Sequence, residues 1–212
     1  MTELHTDALE SDLAAVLAID DATADLLFRE ARTVKRFSGE AVSDEQVHAA
    51  YDLVRWGPTA MNISPLRYLV VRSPEARERL LPYMWDGNHE GILAAPLTIV
   101  VAADPAFHTT MDRLAPHAGD TAAALAGQPE QREAMARTNA LLQAGYLITG
   151  LRATGLHTGP MGIADAAGLD ADLFAESGWK SLFLINLGHP ATENATYPRA
   201  ARLEATEVSA TV

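Results

Sequence analysis

Apolar residues recur at helical spacing in several segments of this chain. A capping box at Ser43 and Gln46 begins one of these segments, and the Gly57-Pro58 pair ends it. Gly155 follows the longest segment, where a glycine is the usual residue after the last helical turn. The pattern predicts helices over these approximate ranges: 11–31, 43–56, from 73 onward, 129–154 and 164–176.

Short apolar runs rich in Val, Ile and Leu predict three buried strands, at 68–71, 97–101 and 182–187. Helices dominate and do not alternate strictly with strands, which favours an α+β fold. Residues 159–162 (Gly-Pro-Met-Gly) predict a turn, and residues 105–128 predict a long irregular stretch. The polar tail from Gly188 onward is expected to extend away from the body.

The second half of the longest predicted helix, residues 141–151, is apolar nearly all round. A helix with this pattern is covered on all sides. The pattern leaves open whether the cover is the core of the same chain or another subunit.

Composition narrows the classes of function. The chain has 212 residues, a formal net charge of −12 and no cysteine. Such acidity argues against a nucleic-acid partner, and the absence of cysteine removes disulfides and thiol chemistry. The longest apolar run, 92–103, is too short to span a membrane, and the first twenty residues contain five acids and no Lys or Arg. We therefore expect a soluble, cytoplasmic protein that has no membrane partner.

The basic residues form two clusters, far apart in sequence. One contains Arg29, Arg32, Lys35 and Arg36, and the other contains Arg199 and Arg202. These cations either pair with the surplus of acids or form a site for a dianion such as a phosphate.

Several kinds of catalytic site leave no signature in the chain. There is no P-loop, no G-x-G-x-x-G fingerprint, no G-x-S-x-G elbow and no metal-binding spacing among the seven histidines. No metal is therefore expected. If the chain is an enzyme, a bound organic cofactor is the economical source of its chemistry.

Four segments, taken in order, resemble the nitroreductase family of FMN-dependent oxidoreductases. They are Arg-Thr-Val-Lys-Arg-Phe at 32–37, Gly-Pro-Thr-Ala-Met-Asn-Ile-Ser-Pro at 57–65, Gly-Leu-His-Thr-Gly-Pro-Met at 155–161 and Arg-Ala-Ala-Arg-Leu at 199–203. The 57–65 segment, the Pro116–Asp120 and Gln143–Ile148 segments and the Gly-Pro-Met sequence are most similar to a subgroup that contains malonic semialdehyde reductase. The resemblance implies a nitroreductase-like α+β fold, with a mostly antiparallel central sheet flanked by helices. It also implies one FMN-binding domain over 26–212, preceded by a helical extension over 1–25.

The resemblance implies an FMN site as well. Arg32, Lys35 and Arg202, with the Thr33 hydroxyl and Arg199, would hold the phosphate, while Asn62 and Asn88 would meet the polar edge of the flavin. The full set of expected cofactor-binding residues is Arg32, Thr33, Lys35, Pro58, Thr59, Ala60, Asn62, Asn88, Pro160, Met161, Gly162, Arg199 and Arg202. His117 and Asp120 are candidate substrate contacts, and no side chain is assigned as catalytic because flavin N5 would carry the hydride.

The implied activity is ping-pong hydride transfer from NADPH or NADH, through FMN, to a small-molecule acceptor. The partner is a second copy of the chain, with FMN at the interface of a homodimer. The acceptor could be malonic semialdehyde, reduced to 3-hydroxypropionate, or a broader range of nitroaromatics and quinones. The alternative from another class of function is a module that binds flavin without turnover.

Overall fold

The structure, a computed structural model, describes residues 16–212. Its helices are α1 (Asp21–Ala24, continued by a π-helical turn over Asp25–Arg29), α2 (Asp44–Val54), α3 (Pro74–Glu78), α4 (His89–Ala94), α5 (Met111–Leu114), α6 (Gly119–Ala126), α7 (Pro129–Ala153), α8 (Ala166–Leu173) and α9 (Ala205–Val208). Its strands are β1 (Leu66–Val71), β2 (Leu97–Ala103), β3 (His157–Met161) and β4 (Lys180–Gly188). Short 3₁₀ turns lie at Ala60–Asn62, Leu81–Tyr83, Asp86–Asn88, Phe107–Thr110 and Pro116–Ala118.

The four strands form one antiparallel sheet in the order β1-β2-β4-β3. Every residue of β2 is buried, as the apolar run predicts for a central strand. Antiparallel pairing and flanking helices confirm the predicted α+β architecture. Within residues 16–212, no helix has the length and apolarity needed to cross a membrane.

Two helical layers cover the faces of this sheet. On one face, α2 and α7 pack through Val47, Leu147 and Leu151 against strand residues such as Ile99 and Ile185. The opposite face is covered by α4 and α8, with Ile92 and Leu169 packed against the sheet. Apolar core therefore lies on both sides of the sheet.

The predicted capping box at α2 is confirmed in both of its hydrogen bonds. The amide of Gln46 donates to the Ser43 hydroxyl at 3.2 Å, and the Ser43 amide donates to the Gln46 side chain at 3.0 Å. The first predicted helix is wrong in its extent. Residues 11–15 lie outside the described residues, and the helix begins only at Asp21, where the Asp20 carboxylate accepts from the Thr23 amide at 2.8 Å. The extension over 1–25 stays a prediction.

The predicted turn at 159–162 is wrong, because residues 159–161 belong to strand β3. Proline signals a turn, but Pro160 lies on β3, an edge strand of the sheet, and edge strands tolerate proline. The predicted irregular stretch at 105–128 is also wrong. It consists of short helices, too short to show a period in sequence, and they bury Phe107, Met111 and Leu125 in a third apolar cluster. The last predicted helix is shorter than expected, since Asp165 caps α8 at the Gly168 amide, at 2.9 Å.

Helix α7 is buried on one side only. Leu147 and Leu151 are fully buried, whereas Leu141, Leu142 and Tyr146 are each more than two-fifths exposed. The prediction of a helix covered all round is thus not met within residues 16–212, and this apolar face remains uncovered.

Candidate functional site

A cavity of about 490 Å³ lies beside the edge strand β3. Five stretches of chain form its walls: 33–36, 87–91, 159–161, Asn186 of β4, and 194–198. Its volume is in the usual range for sites that enclose a small organic molecule.

The wall formed by residues 33–36 is attached to the sheet by backbone hydrogen bonds. The Val34 amide donates to the Thr158 carbonyl at 2.9 Å, and the Ala191 amide donates to the Arg36 carbonyl at 2.9 Å. Gly159 allows this approach, because the Val34 carbonyl lies where any β-carbon on residue 159 would have to be. The segment that carries Thr33, Lys35 and Arg36 is therefore fixed at the mouth of the cavity.

The tail folds back over this segment, which corrects the expectation that it extends away. The Lys35 amide donates to the Ala195 carbonyl at 2.8 Å, and the Lys35 ammonium lies 4.0 Å from the centre of the Tyr197 ring. The Arg32 guanidinium donates to the Tyr197 carbonyl. Basic residues of the first cluster thus hold the tail as a wall of the cavity, while residues 199–212 are exposed.

Five of the predicted cofactor-binding residues line this cavity together: Thr33, Lys35, Asn88, Pro160 and Met161. They come from three separate parts of the chain. Gly162 follows directly after β3 and is not part of the lining.

The other predicted basic residues lie outside the lining. Arg32 borders a neighbouring cavity of about 100 Å³, together with Arg152 and His157. Arg199 lies 3.7 Å from the Glu30 carboxylate, and Arg202 donates to the carbonyls of its own neighbours, Ala200 and Ala201. Ion pairing with acids, the first of the two readings of the basic clusters, therefore applies to Arg199.

The predicted cofactor-binding residues Pro58, Thr59, Ala60 and Asn62 lie away from this cavity. The Asn62 side chain donates to the Leu114 carbonyl at 2.8 Å, and the Ala60 amide donates to the Asn139 side chain at 2.7 Å. Met61 and Asn62 both have positive φ, at 51° and 54°, which is an uncommon backbone for residues other than glycine. The loop is fixed in a strained conformation, a feature that clusters at functional sites.

The predicted substrate contacts His117 and Asp120 are exposed and do not line the cavity. Sequence reasoning also missed several lining residues: Glu90, Gly91, Asn186, Asn194, Thr196 and Tyr197. Asn186 had a signal, since it interrupts the apolar run 182–187. The tail residues had none, because a polar tail shows no sign of where it docks.

Two histidines lie at the end of the sheet where the 33–36 segment is attached. Burial lowers the pKa of His157, and the nearby His189 and Arg152 lower it further. Within residues 16–212, no group of three or more histidine or acidic side chains is arranged to hold a metal ion. The charged groups at the cavity itself are Lys35, Arg36 and Glu90.

The sequence pattern of the Nitroreductase family matches residues 28–189, more than half of the chain. A relative from Streptomyces griseus subsp. griseus, provisionally named NADH dehydrogenase/NAD(P)H nitroreductase, is 46% identical over 92% of this chain and 99% of that protein. The chain belongs to the nitroreductase family. This confirms the family resemblance seen in the sequence. A second relative of this nitroreductase, with the same provisional name, comes from Leptothrix cholodnii and is 44% identical over 88% of this chain and 94% of that protein.

Solved structures share the fold of this nitroreductase. A nitroreductase family protein from Streptococcus pneumoniae superimposes with a TM-score of 0.75 at 21% identity, over 88% of this chain and 98% of that chain. A provisionally named nitroreductase from Exiguobacterium sibiricum, solved in complex with FMN, has a TM-score of 0.75 at 17% identity, over 92% of this chain and 98% of that chain.

Proposed function

We propose that this nitroreductase is an FMN-dependent NAD(P)H oxidoreductase that holds FMN in the 490 Å³ cavity. The observation that carries the proposal is the combination of donors in that one cavity. Lys35 and Arg36 supply positive charge, and the carboxamides of Asn88, Asn186 and Asn194 supply neutral donors and acceptors. FMN needs both, since it joins a phosphate dianion to a ring with polar edges.

The residues present fit FMN in charge and in polarity. Phosphate calls for cationic donors, and Lys35 and Arg36 provide them in a chain whose net charge is −12. Pro160 and Met161 add apolar surface on the β3 side, suited to an aromatic ring. The chemistry that FMN supplies when bound is hydride acceptance at N5 and hydride delivery to a second substrate. The protein's part is to bind, orient and shield the ring.

NADH or NADPH is the proposed electron donor, and a cytoplasmic location is proposed with it. The relatives' names, which carry both NADH and NAD(P)H, support this choice of donor. Donor and acceptor would use the same face of the cavity in turn, which gives ping-pong kinetics. Such a mechanism needs no separate nucleotide-binding domain.

A homodimer is proposed because the expected FMN contacts lie in two places within one protomer. The cavity holds Lys35 and Asn88, whereas the Pro58–Asn62 loop does not reach it. That loop adjoins the uncovered face of α7, since a β-carbon on Gly57 would lie 3.1 Å from the Tyr146 ring. If two copies pack through this face, each brings its loop towards the partner's cavity.

The proposed acceptor is malonic semialdehyde, reduced to 3-hydroxypropionate, and it rests on the sequence motifs shared with that subgroup. Broad reduction of nitroaromatics and quinones is the alternative reaction. The alternative that is not an enzyme is a module that binds flavin without turnover.

The test is the absorbance spectrum of the purified protein, before and after anaerobic addition of NADPH or NADH. A yellow protein whose visible flavin band is bleached by the nicotinamide and restored by an acceptor supports the enzyme. A protein that stays colourless with added FMN contradicts the cofactor assignment. A bound flavin that no nicotinamide reduces favours the module without turnover. Rates of reoxidation by malonic semialdehyde, a quinone and a nitroaromatic then rank the acceptors.

A further inference from the structure

Asn186 is a buried polar residue at the centre of the sheet. It is only 2% exposed, although it belongs to the otherwise apolar strand β4. In the register it lies opposite Thr98 of β2 on one side and Gly159 of β3 on the other. Side chains opposite one another in a sheet share a face, so Thr98 and Asn186 point to the same side.

Thr98 determines how the Asn186 carboxamide is oriented. The fully buried Thr98 hydroxyl donates to Asn186 Oδ1 at 2.8 Å. The amide oxygen therefore points towards Thr98, and Nδ2 is the end of the carboxamide that points away from it.

Two glycines lie beside this amide. A β-carbon on Gly91 would lie 3.4 Å from Asn186 Nδ2, and Gly159, opposite Asn186 in the sheet, leaves room for the Val34 carbonyl. Asn186 lines the 490 Å³ cavity, and no hydrogen bond from Nδ2 to another of residues 16–212 is observed. Because Asn186 lines the cavity, an acceptor for Nδ2 would have to come from there, and leucine would fill a core strand without needing one.

We propose that Asn186 binds the cofactor, with Nδ2 donating to a neutral oxygen of the riboflavin part of FMN, and that Thr98 is its positioning residue. The inference rests on the proposed function. A neutral carboxamide matches a carbonyl or hydroxyl oxygen, whereas Lys35 and Arg36 at the same cavity match the phosphate.

The experiment measures dissociation constants for FMN and for riboflavin, by flavin fluorescence, on the full chain. The variant Asn186→Leu is expected to weaken both ligands by a similar factor, about tenfold, as for one lost hydrogen bond. Weakening of FMN alone would assign Asn186 to the phosphate and overturn the proposal. A wild-type protein that binds FMN without measurable riboflavin affinity would overturn it too, since the riboflavin part would then contribute little.

A double-mutant cycle tests the positioning role of Thr98. Thr98→Val is expected to weaken FMN binding in the wild type and to have no further effect on Asn186→Leu, while Thr98→Ser retains wild-type affinity. Additive effects of Thr98→Val and Asn186→Leu would overturn the positioning role.

Gln143→Leu is the matched control for loss of a buried carboxamide. Gln143 is 5% exposed, accepts from the Leu66 amide at 3.0 Å and lies outside the cavity. The Gln143→Leu variant should lower thermal stability and leave flavin affinity unchanged. If it lost as much flavin affinity as Asn186→Leu, the effect of Asn186→Leu would be general destabilisation, and the inference would be overturned. If the wild type binds no flavin, the proposed function fails and the inference falls with it. If the wild type binds FMN and Asn186→Leu binds it equally well, only the inference fails.

Discussion

The backbone amide of Val34 donates a hydrogen bond of 2.9 Å to the carbonyl of Thr158, and so joins the basic 33–36 segment to strand β3. The next residue of the strand, Gly159, has no room for a β-carbon beneath the Val34 carbonyl. The position of Lys35 and Arg36 therefore depends on a close backbone contact, as well as on their own side chains.

Gly159→Ala is expected to displace the 33–36 segment, because backbone cannot move aside as a flexible side chain can. We expect FMN affinity to fall by about tenfold or more, equivalent to about 1.4 kcal/mol, together with a lower melting temperature. Titration of FMN fluorescence and thermal unfolding measure the two effects. Gly127→Ala is the control, since the structure has open space at that position. Equal affinity in both variants would contradict the role of Gly159.

The two lysines of the chain allow a matched test of the phosphate site. Lys35 lines the cavity, whereas Lys180 is exposed at the start of β4. Lys35→Gln should weaken FMN by about tenfold, in line with the loss of a charge-assisted contact, and should weaken riboflavin by a smaller factor, through the lost contact with the Tyr197 ring alone. Lys180→Gln should change neither dissociation constant. If Lys35→Gln weakens both ligands equally, Lys35 does not act on the phosphate.

The depressed pKa of His157 predicts a change in stability with pH. Its folded-state pKa lies below the unfolded value of about 6.5, so the unfolded chain binds the proton more readily. The free energy of unfolding should therefore fall as the pH drops through about 6.5. Urea unfolding at a series of pH values should show a smaller fall for His157→Gln than for the wild type. The wild-type pH dependence in His157→Gln would refute the assignment.

A partly buried ion pair supports the end of the strained 58–64 loop. Arg67 lies 2.7 Å from the Asp104 carboxylate and also donates to the Ser64 carbonyl at 3.1 Å. Asp104→Asn should lower the free energy of unfolding by about 2 kcal/mol, because it leaves Arg67 without its counter-charge in a poorly solvated place.

The exposed Asp52–Arg55 pair on α2 is the control, with Asp52→Asn costing less than about 0.5 kcal/mol. Urea unfolding measures both variants. Similar losses in the two would show that burial of the Asp104 pair has no energetic consequence.

The uncovered face of α7 predicts the oligomeric state. Leu142→Glu, at a residue 46% exposed on that face, should shift the protein from dimer to monomer in light scattering and weaken FMN binding. Leu93→Glu, at a residue 42% exposed on α4, should remain dimeric. A wild-type monomer that still binds FMN would contradict the proposed interface.

The sequence was sufficient where one local signal determined the structure. The Ser43 capping box and the Val-rich run of β2 are such cases, and both elements are as predicted. Prediction from the sequence failed where contacts with residues distant in the chain determined the structure. Pro160 signals a turn in isolation, but pairing with β4 makes it part of an edge strand.

The candidate site also contains residues that local motifs predicted and residues that only long-range contacts place there. Thr33 and Lys35 belong to a recognisable motif and line the cavity as expected. Tyr197 lies in a polar tail whose docking depends on cations more than 160 residues earlier in the chain, at Arg32 and Lys35. Asn62 does not line the cavity, and its contact with FMN depends on the proposed homodimer.

The cavity wall formed by tail residues 194–198 is the last part of the cavity to be synthesised. A ribosome makes the chain from its amino end, so the walls at 33–36, 87–91, 159–161 and 186 all exist as polypeptide before this last one. The pocket is complete only when Tyr197 reaches Lys35. The cavity therefore gains its last wall only after translation has passed this segment.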